Sequence, residues 1–107
     1  MQRFGQVIQL RPEAIDEYKR YHAHTWSEVL ATIQTCNIRN YSIFLRGHTL
    51  FAYFEYIGDD FAADMKKMAA DPKTQEWWAI MEPMQVPMPD REPGEWWANM
   101  EEVFHTD

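Results

Sequence analysis

The stretch EYKRYHAHTW places Tyr18, His22 and Trp26 four residues apart. On a helix, residues with that spacing stack on one face, so a hydroxyl, an imidazole and an indole would line up. An unperturbed imidazole titrates near pH ~6.5 and so gives and takes protons at neutral pH. Beside a hydroxyl and a flat apolar wall it suits acid–base chemistry on a polyol. The same stripe runs on through Val29, Leu30 and Ile33, which have the spacing of core residues. A lone histidine on such a stripe is more often a packed residue that donates one hydrogen bond to a backbone carbonyl. His22 is therefore read in two ways, as core and as the acid–base group.

Two tryptophan pairs follow, Trp77-Trp78 and Trp96-Trp97. Adjacent helical residues point about 100° apart, so one member of Trp77-Trp78 should be core and the other half-covered. As a functional pair they would offer a ring to the apolar face of a sugar or a cofactor and an N–H to an oxygen. Trp96-Trp97 reads as interface or core. Tyr41, next to Asn40 near the start of a strand, is either an ordinary strand aromatic or a hydroxyl held out to a ligand between sheet and helices. Glu55 sits inside an apolar strand, either facing outward or buried with a partner.

Metal binding is not expected. His22 and His24 face different ways on a helix, and neither His48 nor His105 has a chelating neighbour. The chain has no glycine-rich phosphate loop, nucleophile elbow or paired-cysteine motif. Seven methionines are more often gap-fillers than soft ligands.

These residues need elements to hold them. Phe4–Leu10 reads as a first strand. Pro12 suits the first helical position, where its missing N–H costs nothing, and Glu13 suits the positive end of the dipole. Apolar residues at 15, 18, 22, 26, 29, 30 and 33 then predict one helix running to about Gln34. Ile38–Leu45 and Thr49–Ile57, rich in aromatic and β-branched residues, predict a hairpin around Arg46-Gly47-His48. Within it Tyr41, Ile43 and Leu45 share one face, Ser42 and Phe44 the other. Asp60 caps a short helix to about Ala69, and Asp71-Pro72 starts another through Met81. The proline-rich segment from Glu82 to Glu95 predicts an ordered, extended crossing, and Met100–His105 a last strand. Strand, helix, strand, strand, helix, helix, strand is the split βαβ order of a ferredoxin-like α+β sandwich. Helices would cover one face of its sheet, so a second subunit is expected on the other, giving a homodimer.

At 107 residues and 46% hydrophobic content the chain fits a single domain, residues 1–107. Its formal net charge of −7 argues against nucleic acid and against an anionic membrane surface. A neutral ligand suits it better. Cys36 is the one cysteine, so no intrachain disulfide is possible and a cytoplasmic location is the default. The N-terminus lacks the apolar core of a signal peptide, and no apolar run approaches the ~20 residues of a membrane span.

The ordered set Pro12, Glu17-Tyr18, His22, Trp26, then Asn40-Tyr41-x-Ile43-x-Leu45, Trp77-Trp78 and Glu101-Glu102-Val103-Phe104 resembles the L-rhamnose mutarotase family over nearly the whole chain. The resemblance implies a dimeric α/β barrel of ferredoxin-like protomers. It also implies interconversion of the α and β anomers of a 6-deoxy hexose, without metal or organic cofactor. It puts the catalytic proton donor on His22 and substrate binding on Tyr18, Tyr41, Trp77 and Trp78; the mechanism expected with it has His22 deliver the proton to the ring oxygen while Tyr18 helps move or position the other. The sequence departs from the family pattern at Ala23-His24-Thr25 and at Phe44, so L-fucose stands beside L-rhamnose as a candidate substrate. Two other readings share the element order: a cofactor-free or haem-binding oxygenase of the dimeric α/β-barrel type, and a non-catalytic sugar-binding dimer module.

Overall fold

Alternation along the first strand sets the architecture. In a computed structural model describing residues 1–107, β1 (Gln2–Leu10) runs through the middle of the sheet. On one edge it pairs antiparallel with β3 (Thr49–Tyr56), which pairs with β2 (Ile38–Arg46). On its other edge lie two short strands, β4 (Gln85–Val86) and β5 (Ala98–Met100). The helices are α1 (Ile15–Ala23), α2 (Ser27–Thr35), α3 (Phe61–Ala70) and α4 (Pro72–Met81). This is the expected ferredoxin-like α+β sandwich, with its curled antiparallel sheet forming half of an α/β barrel.

The register places Phe4, Ile8, Leu50, Ala52, Phe54, Tyr56 and Ile38 on the helix-covered face. There they form two apolar clusters. One joins Ile8, Leu10 and Leu50 to Tyr18, Val29, Trp77, Met81 and Met84. The other joins Ile38, Phe54 and Tyr56 to Phe61, Met65 and Met68 of α3. Both predicted aspartate caps form: Asp60 accepts from Ala63 N at 3.1 Å, and Asp71 from Thr74 N at 2.9 Å. Gly58 is required between β3 and α3, because a β-carbon there would overlap the Tyr56 hydroxyl, which donates to Asp64 at 2.5 Å.

Three expectations change. The first helix is not continuous to Gln34, because it ends at Ala23 and restarts at Ser27. Between the two helices Thr25 donates its hydroxyl to the His22 carbonyl at 3.2 Å, and Trp26 adopts an extended backbone. A short β-branched hydroxyl residue satisfies the freed helix end locally, which competes with continuing the helix. The last strand is Ala98–Met100, not Met100–His105, and residues 101–107 form no strand. The proline-rich crossing is ordered but not extended throughout: it opens with a 3-10 helix at Glu82–Met84, continues into β4, whose two residues pair with Gln9 and Leu10, and then turns at residues 89–90 and 93–94.

One irregularity in β2 decides which way its side chains point. Arg39 pairs with Glu55 and Ser42 with Tyr53, so Asn40 and Tyr41 together oppose Phe54. This is a β-bulge, with Asn40 in the left-handed region at φ 51°. Side chains alternate along a strand, and the extra residue shifts that alternation by one. Before it Ile38 faces the helices; after it Tyr41, Ile43 and Leu45 do, as predicted. Asn40 turns to the other face, where its amide donates to Glu55 at 2.8 Å. Asparagine tolerates the left-handed region better than most residues, for which it costs about 1–2 kcal/mol. Asn40→Ala should therefore lower stability by roughly 1 kcal/mol, and Asn40→Gly should recover the backbone part but not the Glu55 bond. Urea unfolding of the three proteins checks this, and an unchanged midpoint in Asn40→Ala would contradict a strained bulge.

Candidate active site

Trp77, on α4, is buried and stands edge-on to three rings of the first helical pair. Tyr21 lies 5.9 Å away at 83°, His22 5.4 Å at 70° and Trp26 5.2 Å at 74°, between centroids. The expected stripe of Tyr18, His22 and Trp26 is thus assembled, though not by one helix. The break at residues 24–26 swings Trp26 onto Trp77 while His22 stays over Tyr18, stacked at 4.2 Å and 25°. Such aromatic pairs are worth about 0.5–1.5 kcal/mol each beyond their burial, enough together to hold the imidazole in one orientation.

The tautomer of His22 follows from its partner. Nδ1 lies 2.9 Å from the Tyr18 carbonyl oxygen, which can only accept, so Nδ1 carries the proton. Nε2 is then the free nitrogen, the one with a lone pair when the ring is neutral. Burial lowers the pKa of His22 below its ordinary value, with the bond to the Tyr18 carbonyl opposing that effect. The ring is half-buried, so it remains reachable.

Tyr18 is buried, and its hydroxyl oxygen accepts from Gln85 Nε2 at 3.2 Å. Burial pushes this phenol up to about 12, and the Gln85 bond works against that. Gln85 lies on β4 opposite Leu10, and its Oε1 accepts from Trp96 Nε1 at 2.7 Å. Tyr41 comes to the same face through the bulge and packs against Phe54 at 5.5 Å. As a residue Tyr41 is 41% exposed. Burial pushes the Tyr41 phenol up to about 12, and the nearby Tyr18 adds to the shift.

His22, Tyr18 and Trp77 therefore meet over the helix face of the sheet, and Tyr41 lies on that same face, near enough to Tyr18 for its phenol to be affected by it. Trp78 does not share the Trp77 cluster: one helical step turns it outward, to 38% exposure, which fits the expectation of one core and one half-covered ring. Glu55 lies on the open face, held by the Tyr53 hydroxyl at 2.7 Å and by Asn40. His24 is exposed beyond the end of α1. Gln85 and the role of Trp96 are absent from the sequence reading. The only hint is a glutamine between two apolar residues, Met84-Gln85-Val86, in a segment too rich in proline to show a period.

The arrangement offers one base, two neutral hydroxyl donors and an aromatic wall, with no formal charge at neutral pH. It can move protons on a neutral polyol. A model of the L-rhamnose mutarotase family matches residues 3–106. The L-rhamnose mutarotase of Lactiplantibacillus plantarum is 36% identical, and that of Oceanobacillus iheyensis 34%, each alignment covering 100% of both chains. The crystal structure of an L-rhamnose mutarotase from Formosa agariphila matches with a TM-score of 0.78 at 26% identity, covering 100% of both chains. Tetracenomycin F2 cyclase of Streptomyces glaucescens, a type-II polyketide cyclase, matches at 0.71 and 16% identity, covering 100% of this chain and 98% of that one. At that identity it speaks for the fold alone. The full-length family match and the full-length relatives show that the chain belongs to the L-rhamnose mutarotase family.

Proposed function

We propose that the protein interconverts the α and β anomers of L-rhamnose by opening and reclosing the pyranose ring. The observation that carries the reading is the fixed imidazole: Nδ1–H is tied to the Tyr18 carbonyl, and Nε2 is free beside a phenol. Family membership supports the substrate class, and L-fucose, which shares the C6 methyl, is the second sugar to test.

Ring opening needs a proton taken from the anomeric hydroxyl and one given to the ring oxygen. His22 Nε2 takes the first while the C1–O5 bond breaks and C1=O1 forms. The Tyr18 hydroxyl gives the second to O5, the reverse of the roles expected from the sequence, because the neutral ring has its lone pair on Nε2. The open aldehyde turns about its C1–C2 bond. On closure O5 attacks C1 from the other side and returns its proton to Tyr18, and the His22 imidazolium is the proton donor to O1. Both groups end as they began, so no cofactor is consumed. Tyr41 binds a sugar hydroxyl, and Trp77 offers its ring to the apolar edge that carries the methyl, while Trp78, turned outward, is left outside that contact.

The open sheet face presents Phe44 at 65% exposure, Phe51 at 39% and Met100 at 42%. Exposed apolar side chains on one sheet face mark an interaction surface, and a second copy meeting it face to face would close the barrel as a homodimer. A cytoplasmic site of action fits a sugar isomerase with one buried, unpaired cysteine.

His22→Ala should lose most of the acceleration, on the order of 10²–10⁴-fold, with the fold retained. Magnetisation exchange between the anomeric protons of L-rhamnose reads this directly, and an unchanged rate would remove His22 from the mechanism. The pH dependence has a definite sign. The neutral ring is the base and its pKa is lowered, so kcat/KM should hold through neutral pH and fall only below pH ~6.5. The adjoining Tyr18 and Tyr41 titrate near 12 and leave that acid limb to His22. Charging the open face with Phe44→Asp and Phe51→Asp together should give a monomer in light scattering, while a dimer of undiminished strength would place the interface elsewhere.

A further inference from the structure

Gln85 bonds the Tyr18 hydroxyl and Trp96 bonds Gln85, and together they fix the Tyr18 hydroxyl. The indole Nε1–H of Trp96 can only donate. Its bond at 2.7 Å therefore requires the Gln85 oxygen on the Trp96 side, which leaves the Gln85 NH₂ facing Tyr18 at 3.2 Å. A glutamine NH₂ can only donate, so the Tyr18 oxygen is the acceptor there. The one hydrogen of the phenol is then not used on protein at that contact. Gln85 is 7% exposed and Tyr18 4%, so neither bond is readily exchanged for water.

We propose that Gln85, oriented by Trp96, is a positioning residue that turns the Tyr18 hydroxyl hydrogen toward the sugar and holds Tyr18 as the proton donor to the ring oxygen. This deepens the mutarotase reading and rests on it. The direction of the bond matters for the chemistry. A donor aimed at the phenol oxygen stabilises the phenolate that forms as the proton leaves, and so opposes the rise caused by burial. A carboxylate in the same place would do the reverse. It would accept from Trp96 and from Tyr18 alike, drawing the phenol hydrogen away from the substrate and disfavouring the phenolate. The loop that ends at Trp96 thereby sets the polarity of a group on α1, although Trp96 is 11 residues beyond Gln85 and on the far side of the proline-rich crossing.

The test is a double-mutant cycle read by anomer exchange of L-rhamnose and by carbon-13 NMR of the Tyr18 ring carbon that bears the oxygen. Gln85→Glu keeps the shape and removes the donor. Its kcat should fall about tenfold or more, part of the ~10²–10⁴-fold that a placed proton donor supplies, with KM changed less than about twofold. Trp96→Phe leaves the amide but frees it to turn, and kcat should fall in the same direction by a smaller factor. In a Tyr18→Phe background Gln85→Glu should have almost no further effect, because residues acting through one another are non-additive. An equal loss in that background would make Gln85 a general structural residue and overturn the proposal. The carbon-13 shift, assigned by its loss in Tyr18→Phe, should move in Gln85→Glu without sugar present. An unmoved shift would also overturn the proposal. If the shift moves but the native protein does not accelerate exchange, the hydroxyl arrangement stands and the mutarotase reading falls.

Discussion

Everything near the imidazole depends on the edge of one tryptophan. Trp77 is the only ring that meets both halves of the broken first helical segment, touching Tyr21 and His22 on α1 and Trp26 just before α2. A continuous helix would have kept Trp26 one turn above His22, pointing along the same stripe, with no room for an indole edge between them. The break separates the two and the wedge fills the space. Its consequence is rotational. The His22 ring is held by a stack on Tyr18, an edge contact with Trp77 and a bond from Nδ1, so Nε2 is the one ring nitrogen left without a protein partner.

The sheet supplies the second half of the site through an error in its own alternation. Had β2 kept regular alternation past Arg39, with no bulge, Tyr41 would lie on the open face opposite Tyr53. With it, the phenol lies among the apolar residues under the helices, and burial keeps it protonated at any ordinary pH. Tyr18 is kept neutral by the same cause. The site therefore carries no formal charge when the imidazole is neutral, and the 17 acidic side chains of the protein stay outside it. A neutral sugar placed there meets donors and one acceptor, not a field that would select an ionised ligand.

Much of this was legible in the sequence, and the parts that were not share a cause. The strands, the hairpin, both aspartate caps and the facing of Tyr41, Ile43 and Leu45 follow from local rules. So does the difference in depth between Trp77 and Trp78. The split helix was missed because apolar spacing stayed in phase across residues 24–26: Thr25 can end a helix by bonding the His22 carbonyl, but nothing in the periodicity says that it does. The last strand was misplaced because Ala98–Met100 is defined by pairing with Gly5–Val7, a contact between opposite ends of the chain. Gln85 was missed for the same reason, since its burial comes from a two-residue pairing with β1.

The two faces of the sheet divide the labour. The helix face holds the imidazole and the phenols, and the open face holds Phe44, Phe51 and Met100. Side chains one residue apart on a strand serve different faces, so a partner on the open side neither fills nor blocks the site. The bulge is where the faces meet. Asn40 bonds Glu55 on one side and, by taking the left-handed conformation, aims Tyr41 to the other. The bulge therefore ties the facing of Tyr41 on the covered side to a hydrogen bond on the open side, though no side chain belongs to both.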